Sequence, residues 1–416
     1  MKMLLKALSF ILVSSSSLLV ISCTNNKPSR NQNINSNTMN ANTRNNNNNN
    51  NNNQNQPNMI NDQREIVKRN LTTDEQNTIT SIFAFQQDAF ATFHNYQDVV
   101  DQLQVFLAEK NLKEIVLANP EENNKSLELD ESGNKNTVKV RVFGNEFEFK
   151  PKTVKDTVET KYNHDKSMVT QLGYKKVSDT GSDYFLLTAV DKNAKEVPVH
   201  LPLKVNSLSG AFKENINEQI LNLDKWDVKN VVSLKETFSN AKKFNQSLSS
   251  WNVSNVKNMS HMFDGAENFN KPLNNWNVSK VTDMESMFDG AMSFNQDLNN
   301  WKTDSLTNLS FTFRSATKFN KSLKDWNVFS VKTMEGMFSD ATSFNQDISS
   351  WRTDNVGTMN GMFSGAKSFN QTLKKWNVSK VKNTQNFAKD IEANLTKDKL
   401  PSFISDYSDD KRIYGK

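Results

Sequence analysis

The sequence predicts an α/β solenoid of 25-residue units, preceded by a small α+β region and a disordered linker rich in asparagine. Three observations predict this fold class. All seven tryptophans stand 25 residues apart, from Trp226 to Trp376. The spacing of apolar residues changes within each unit, and the run from Thr24 to about Asp62 has almost no apolar side chains. A fixed period of this length is typical of stacked supersecondary units.

Apolar residues keep fixed distances from each tryptophan. We number each position in a unit by how many residues it follows the Trp, so Val228 is position 2 of the unit that begins at Trp226. Position 2 is Val or Thr, position 5 is Val or Leu, position 12 is Phe, and positions 18 and 19 are Phe-Asn. A Leu or Ile stands three residues before each Trp. Six full units occupy residues 226–375, and a degenerate seventh begins at Trp376.

Each unit contains two kinds of apolar spacing. Leu-x-x-Trp-x-Val places Trp and Val on one face of a predicted strand. Met259, Met262, Phe263, Ala266 and Phe269 step by three and four, which predicts a short helix. The Asn at position 19 predicts a ladder whose side chains satisfy backbone groups of the turns, because the same residue recurs in every full unit.

The N-terminus has the pattern of a leader. Lys2 and Lys6 flank the start of a short apolar stretch that runs to about Ile21, as in a secretory signal peptide. The stretch ends in Val20-Ile21-Ser22-Cys23, which resembles the bacterial lipobox, whose cysteine receives a diacylglyceryl group. This predicts lipidation of Cys23 and a membrane partner through that lipid, at the extracellular face of the cell membrane. An ordinary signal peptide or a membrane anchor is the alternative.

The chain divides into segments of different composition, because polar, mixed and periodic stretches follow one another. The region that precedes the repeats predicts helices and hairpins: a capping box at Thr73 and Gln76, a hairpin at 138–149 that turns at Gly144-Asn145, and strands at Asp183–Val190 and Lys195–Val205. The predicted segments are a lipoprotein signal peptide at 1–22, a lipidated Asn-rich tether at 23–63, the small α+β region at 64–205 (helices about 65–118, strands about 137–205), the repeat solenoid at 206–395, and a C-terminal cap or tail at 396–416.

The repeat carries a family resemblance. Residues 244–266 and 269–291 match Phe-Asn-Gln-x-Leu-x-x-Trp-x-Val-x-x-Val-x-x-Met-x-x-Met-Phe-x-Gly-Ala nearly throughout. This string resembles the BspA-like, leucine-rich-repeat-like family, which abounds in mycoplasma surface lipoproteins. The resemblance covers about 205–395 and implies leucine-rich-repeat-like units, surface exposure, adhesion or host interaction, and no catalytic residues. A structural coat or variable surface antigen without a dedicated ligand is the alternative.

The sequence offers no constellation for catalysis or metal binding. Its four histidines are scattered, and Cys23 is the only cysteine. The methionine pairs and the Trp column predict core packing rather than metal ligands or carbohydrate platforms. The formal net charge of +5 favours no nucleic-acid partner. We therefore expect no enzyme and no cofactor or metal; the ligand would be a host or surface protein or a glycan, and the oligomeric state stays open.

One exposed aromatic marks a candidate binding surface. If Trp326 and Val328 point inward, Asn327 and Phe329 point outward on the same predicted strand. Phe329 is the aromatic residue in a column that otherwise reads Lys, Ser or Asp. Lys302 and Arg352 are neighbouring outward positions, so the predicted binding residues are Phe329, Asn327, Lys302 and Arg352. The alternative is that Phe329 is only exposed, or packs against an adjacent loop.

Overall fold

The described chain begins with helices and small sheets. The structure is a computed structural model that describes residues 68–179, 182–403 and 409–415, all within one compact unit, 64–416. Its α-helices are α1 (Thr73–Gln86), α2 (Tyr96–Glu109) and α3 (Asp410–Tyr414). Its strands are β1 (Phe90–Ala91), β2 (Ile115–Leu117), β3 (Val138–Val142), β4 (Asn145–Phe149), β5 (Thr153–Val154), β6 (Thr157–Val158), β7 (Lys161–Tyr162), β8 (Val169–Gln171), β9 (Tyr174–Asp179) and β10 (Ser182–Leu187).

The strands pair into four small sheets. Antiparallel pairing gives the sheets β2-β3-β4, β6-β9-β10 and β7-β8, while β1 pairs with β5 in parallel. The predicted hairpin at 138–149 is confirmed as β3-β4. Its two loop residues are Phe143 and Gly144, both with positive φ, rather than Gly144-Asn145. The predicted strand at Lys195–Val205 is wrong, since no strand lies there.

Capping boxes fix the starts of α1 and α2. Thr72 accepts the backbone N–H of Glu75, and the Glu75 carboxylate accepts the N–H of Thr72. The predicted box at Thr73 and Gln76 is therefore one residue late. Asn95 and Asp98 form the same arrangement at α2, so at the start of each helix two otherwise unpaired N–H groups find side-chain partners.

The predicted α/β solenoid is wrong. Among the described residues between 206 and 395 there is no strand and no α-helix, and the one short helix is the 3-10 turn Leu223–Lys225. The repeat region is a succession of turns, and each unit forms one single-residue parallel bridge to its neighbours, at position 7. The sheets in the described part of the chain are the small ones that precede the repeats.

Left-handed residues explain why the predicted helix does not form. Met262 donates its N–H to the Met259 carbonyl, and Ala266 donates to the Phe263 carbonyl, as in turns closed over three residues. His261 and Gly265, which interrupt these turns, have φ of 56° and 66°. Positions 10 and 14 are left-handed in every full unit, and an α-helix cannot pass through such residues. The steps of three and four therefore come from consecutive turns.

Turns also replace the predicted strand. Trp251 donates its backbone N–H to the Leu248 carbonyl at 3.1 Å, and Val256 donates to the Val253 carbonyl at 2.9 Å. Leu, Trp, Val and Val of the motif thus stand at the corners of turns. Their side chains still point inward, because each of them is buried.

Aromatic columns hold the units together. Phenylalanines at position 12 stack on those of the next unit with ring centroids 5.6–5.8 Å apart. Those at position 18 stack at 5.9–6.0 Å. The predicted burial of the Trp column is confirmed, since each Trp is at most 4% exposed. Each indole N–H also donates to a backbone carbonyl 28 residues earlier, as Trp301 does to Leu273 at 3.0 Å.

The asparagine ladder is confirmed. Asn270 donates its backbone N–H to the Asn245 side-chain oxygen at 3.0 Å, and the same bond recurs between neighbouring units as far as Asn370, at 2.9–3.1 Å. Each amide oxygen therefore satisfies a backbone donor that would otherwise lie half-buried without a partner. The stacked turns, called the repeat array below, replace strand pairing with these side-chain bonds and with backbone bonds between units.

Both ends of the array are covered. One continuous buried cluster runs from Ala91 through the array to Tyr414, and a second lies beneath α1, α2 and the β2-β3-β4 sheet. At the C-terminal end Phe403 meets Phe387 edge to face at 5.3 Å. The Tyr414 hydroxyl donates to the Leu395 carbonyl at 3.0 Å. The last unit therefore does not present its apolar face to water.

Candidate binding face of the repeat array

Turns place four positions of each unit on one side of the array. Positions 0, 2 and 5 point into the core, as Trp326, Val328 and Val331 show, each at most 3% exposed. Positions 1, 3, 4 and 6 lie between and beside them and point outward. We call this side, over residues 227–382, the outer face; Lys302, Asn327 and Arg352 occupy position 1 of three consecutive units.

Phe329 and Arg352 are brought together. Phe329 is 38% exposed, and the Arg352 guanidinium lies over its ring, with Cζ 4.3 Å from the ring centroid. Arg352 Nε also lies 3.6 Å from the Asp354 carboxylate. A guanidinium that lies over an aromatic ring can still donate hydrogen bonds from its outward edge. The pair is the most apolar point on the outer face, with a cation attached to it.

The exposed side chain of Asn327 also makes two hydrogen bonds within the array. Its side-chain oxygen accepts the Phe329 backbone N–H at 3.1 Å, and its amide nitrogen donates to Asp304 at 2.7 Å. Asn252, Asn277 and Asn377 accept the N–H of position 3 in the same way. The amide of Asn327 thus shapes the turn that presents Phe329, a role the sequence prediction did not assign to it.

Lys302 and Arg352 belong to units of a different kind. Both are exposed, and both are followed by a buried Thr and then an Asp. Thr303 donates its hydroxyl to the Asn327 carbonyl at 3.0 Å, and Thr353 donates to the Asn377 carbonyl at 2.8 Å. Among the described residues Lys302 has no ion pair, and no hydrogen bond or cation–π contact joins it to Phe329. The structure therefore gathers Phe329, Arg352 and Asn327, and leaves Lys302 one unit away from Asn327.

A second aromatic–arginine contact lies outside the outer face. Arg314 Cζ is 4.6 Å from the centroid of the Phe311 ring, at position 10, and Arg314 Nε bonds Asp289 at 2.8 Å. Burial raises the pKa of Asp289, although the bond to Arg314 opposes that rise. Sequence reasoning missed this group because position 10 looked like the middle of a helix. Phe311 is half-buried and left-handed, which the sequence alone does not indicate.

A cleft of about 620 Å³ opens where the array begins, and it too was missed. Among its lining residues are Glu196, Leu221, Gln246 and Lys271. It forms where the Asn ladder stops, because Ile220 stands where the units carry Asn and its N–H bonds the Gln246 side chain instead. The break in the Phe-Asn column was the available sequence signal. Its charges are mixed in sign, so it favours no particular ligand.

The remaining predicted features concern metal, membrane and lipid. Within the described ranges there is no group of His, Cys, Asp and Glu side chains able to hold a metal ion. No helix in the described part of the chain has the length and apolar character that crossing a membrane requires. Cys23, the predicted signal peptide and the Asn-rich tether all lie outside the described residues.

The stacked turns and the long outer face define a repeat-containing protein. Residues 206–324 and 296–399 match the family model described as "Mycoplasma protein of unknown function, DUF285". These segments together span residues 206–399, somewhat less than half of the 416-residue chain. The match fits a mycoplasma protein built from repeats. A search of curated proteins gives no match to this chain.

Proposed function

We propose that the chain is a non-catalytic binding protein of the mycoplasma cell surface, and that its repeat array recognises a host or surface ligand through the outer face. The exposed Phe329 with Arg352 stacked on it carries this proposal. Aromatic side chains, phenylalanine among them, and arginine are enriched in binding interfaces. The family match, which indicates a mycoplasma repeat protein, agrees with such a role.

The anchoring part of the proposal concerns Cys23. The lipobox-like Val20-Ile21-Ser22-Cys23 favours two acyl chains on this cysteine, and two chains suffice for stable membrane attachment. The Asn-rich segment would then separate the array from the lipid surface. The finer resemblance to BspA-like surface proteins supports the same placement, on the extracellular face of the membrane.

The first prediction tests the recognition surface. We expect Phe329→Ser to weaken ligand binding by about thirtyfold, as loss of a central interface residue does. The full chain is first titrated against host matrix proteins and glycans, and the variant is then titrated against whichever ligand binds. Met292→Ser is the matched control, because Met292 is 46% exposed at position 16 and does not belong to the outer face.

Two results would contradict the proposal. Equal affinity of Phe329→Ser and the unmodified chain, with the same melting temperature, would remove the outer face as the binding surface. Absence of any ligand in the panel would favour the alternative of a structural coat or variable surface antigen. That alternative draws on the self-satisfied ladders of the array, which need no ligand for their stability.

The second prediction tests the anchor. We expect Cys23→Ser to move the chain from the detergent phase to the aqueous phase and to abolish labelling by radioactive palmitate, because the thiol is the acceptor of the diacylglyceryl group that carries the acyl chains. Cys23→Ala should behave in the same way, since neither residue offers a thiolate. Retention of both the label and the detergent partition in these variants would rule out lipidation at Cys23.

A further inference from the structure

The outer face is strongly basic. Its positions 1, 3, 4 and 6, from unit 226 to unit 376, hold three acidic side chains, Asp227, Asp304 and Asp354, against eight basic ones. The basic residues are Lys229, Lys257, Lys280, Lys302, Lys332, Arg352, Lys380 and Lys382, and all are exposed. This face therefore carries five net positive charges, as many as the formal net charge of the whole chain.

Charge is segregated around the array. Positions 9, 10, 13 and 14 hold three basic and seven acidic side chains in the same units, and one of the acidic residues, Asp289, is buried. These two sets of positions therefore differ in the sign of their net charge. The basic side is also the one that carries Phe329 and Arg352, so a cationic surface and an interface anchor coincide.

Several cations of the outer face lack an acidic partner. Among the described residues, no ion pair involves Lys257, Lys302, Lys332 or Lys382. Lys280 and Lys380 donate to the side-chain oxygens of Asn255 and Asn355, each at 2.7 Å, and so remain uncompensated in charge. The acidic residues are already engaged: Asp227 pairs with Lys229 at 2.9 Å, and Asp304 accepts from Asn327.

The backbone holds these cations in rows. The N–H of Lys257 donates to the Val232 carbonyl at 2.9 Å, and Lys332 and Lys382 make the same bond to the preceding unit at 2.8 and 2.9 Å. Stacked tryptophans of neighbouring units lie 6.1 Å apart. Lys257 and Lys382 are five units apart, so the position-6 row extends over roughly 30 Å at that 6.1 Å spacing.

We propose that the outer face binds a linear sulfated polysaccharide lengthwise along the array. This inference rests on the proposed binding function and names the chemical class of the ligand. Cations distributed along the length of the array match a polymer that bears anions along its own length. The Arg352 fork suits a sulfate group, and the Asn amides of position 1 lie beside the cations, where sugar hydroxyls would bind.

The same features disfavour other polyanions. Proteins that bind single-stranded nucleic acid stack successive bases on several aromatic rings, whereas the outer face has one such ring and Arg352 covers it. A polymer with one carboxylate for every two sugars offers fewer anions over the same length than a densely sulfated one. The sulfated polymer can therefore match more of the eight cations.

The test uses heparin and the full-length chain in a non-ionic detergent. We expect heparin to bind with an affinity that falls as salt rises, because ions are released from both partners. The variant Lys257→Gln, Lys332→Gln, Lys382→Gln should bind about tenfold more weakly and with a shallower salt dependence. The matched control replaces Lys243, Lys318 and Lys367, exposed at positions 16 and 17, by Gln and should bind within about twofold of the unmodified chain.

Each remaining outcome has a definite meaning. If both triple variants keep the melting temperature of the unmodified chain and lose heparin affinity equally, the loss reflects net charge alone. That result would overturn the assignment to this face. No heparin binding at physiological salt, equal binding of fully desulfated heparin, or equal binding of single-stranded DNA would overturn the sulfated-polysaccharide class. If heparin does not bind but Phe329→Ser weakens binding to another ligand, the sulfated-polysaccharide proposal is wrong and the proposed binding function is supported.

Discussion

His94 illustrates how a single buried residue links the N-terminal region to pH. The ring is 3% exposed, and both of its nitrogens are used: Ala91 N–H lies 3.1 Å from Nδ1, and Tyr174 Oη lies 2.9 Å from Nε2. Tyr174 in turn donates to the Ala89 carbonyl at 3.2 Å. These contacts fit a neutral ring that carries its proton on Nε2. Burial lowers the pKa of His94 to about 4, whereas the Ala91 carbonyl, 3.0 Å from Nδ1, and the Asp98 charge act to raise it.

The third prediction follows from that lowered pKa. In the unfolded chain the ring takes up a proton near pH 6.5, whereas in the folded chain it does so only near pH 4, so the unfolded state gains protons first as pH falls. The free energy of unfolding should therefore decrease from pH 6.5 to pH 4, by on the order of 3 kcal/mol from this residue. Urea unfolding across that range measures the decrease.

The His94 prediction has a matched pair of variants. In His94→Gln the free energy of unfolding should decrease less over the same pH range, because the residue whose pKa differs between the folded and unfolded states is absent. His164→Gln, at an exposed ring, is the control for the loss of a histidine. A pH dependence that is the same in His94→Gln and in the unmodified chain would contradict the buried neutral ring.

At the same scale, Phe329 could be singled out from the sequence but its contact with Arg352 could not. A Phe in a column of Lys, Ser and Asp is visible by comparison of the units. Phe329 and Arg352 belong to different units, and their distance depends on how closely the units stack, which the period of 25 does not specify. The turn-forming role of Asn327 likewise depends on a backbone conformation that was predicted to be a strand.

The turn is the element that governs the array, and its left-handed residues are the least predictable part. Met-x-x-Met-Phe spacing fits a helix and a run of turns equally well, because both place residues three and four apart on one side. The sequence did contain a distinguishing signal. Position 14 reads Asn, Gly, Gly, Ser, Asp and Gly in the full units, a set rich in residues that tolerate positive φ.

The fourth prediction distinguishes a left-handed turn from a helix by whether a Gly→Ala substitution raises or lowers the free energy of unfolding. Gly290 has φ of 63°, and a Cβ there would meet nothing closer than the Gly265 Cα at 3.6 Å. Gly290→Ala should therefore destabilise the chain by about 1 kcal/mol through backbone strain alone. In the interior of a helix the same change would stabilise it by roughly 0.5–1 kcal/mol. Denaturant titration gives the sign.

Gly357→Ala provides the matched control at this scale. Gly357 lacks a positive φ, and a Cβ there would have ordinary contact with the Lys332 carbonyl at 3.7 Å. We expect this variant to be neutral or slightly more stable, since alanine restricts the unfolded chain. If Gly290→Ala is as stable as Gly357→Ala, the left-handed turn at position 14 is not the conformation of the protein in solution.

Over the whole molecule, the sequence could predict which side chains are buried better than which elements carry them. The Trp column, the Phe columns and the Asn ladder were all visible as a strict period, and their burial and pairing are confirmed. A period reports which residues are equivalent, not what backbone joins them. The ends of the array were harder to predict from the sequence. Ile220 breaks the asparagine column at one end, and the segment 409–415, which packs at the other end, does not follow the repeat.

The central claim is that the units form one continuous core, in which each unit depends on its neighbours. Trp301 joins units directly, since it is 1% exposed, stacks on Trp326 at 6.1 Å and bonds the Leu273 carbonyl. A lone unit cannot offset the entropy of ordering 25 residues, so stability must be shared along the stack. Removal of this one side chain should therefore destabilise units far from residue 301.

Native-state hydrogen exchange of the Trp301→Ala variant tests that claim most directly. We predict a loss of about 3–5 kcal/mol, as for other large-to-small core substitutions. Protection should fall together in the amides that bond between units, including Phe263, Phe288, Phe313 and Phe338 at position 12. Loss of protection confined to residues 301–325, or a cost within about 0.5 kcal/mol as at surface sites, would contradict a continuous stack.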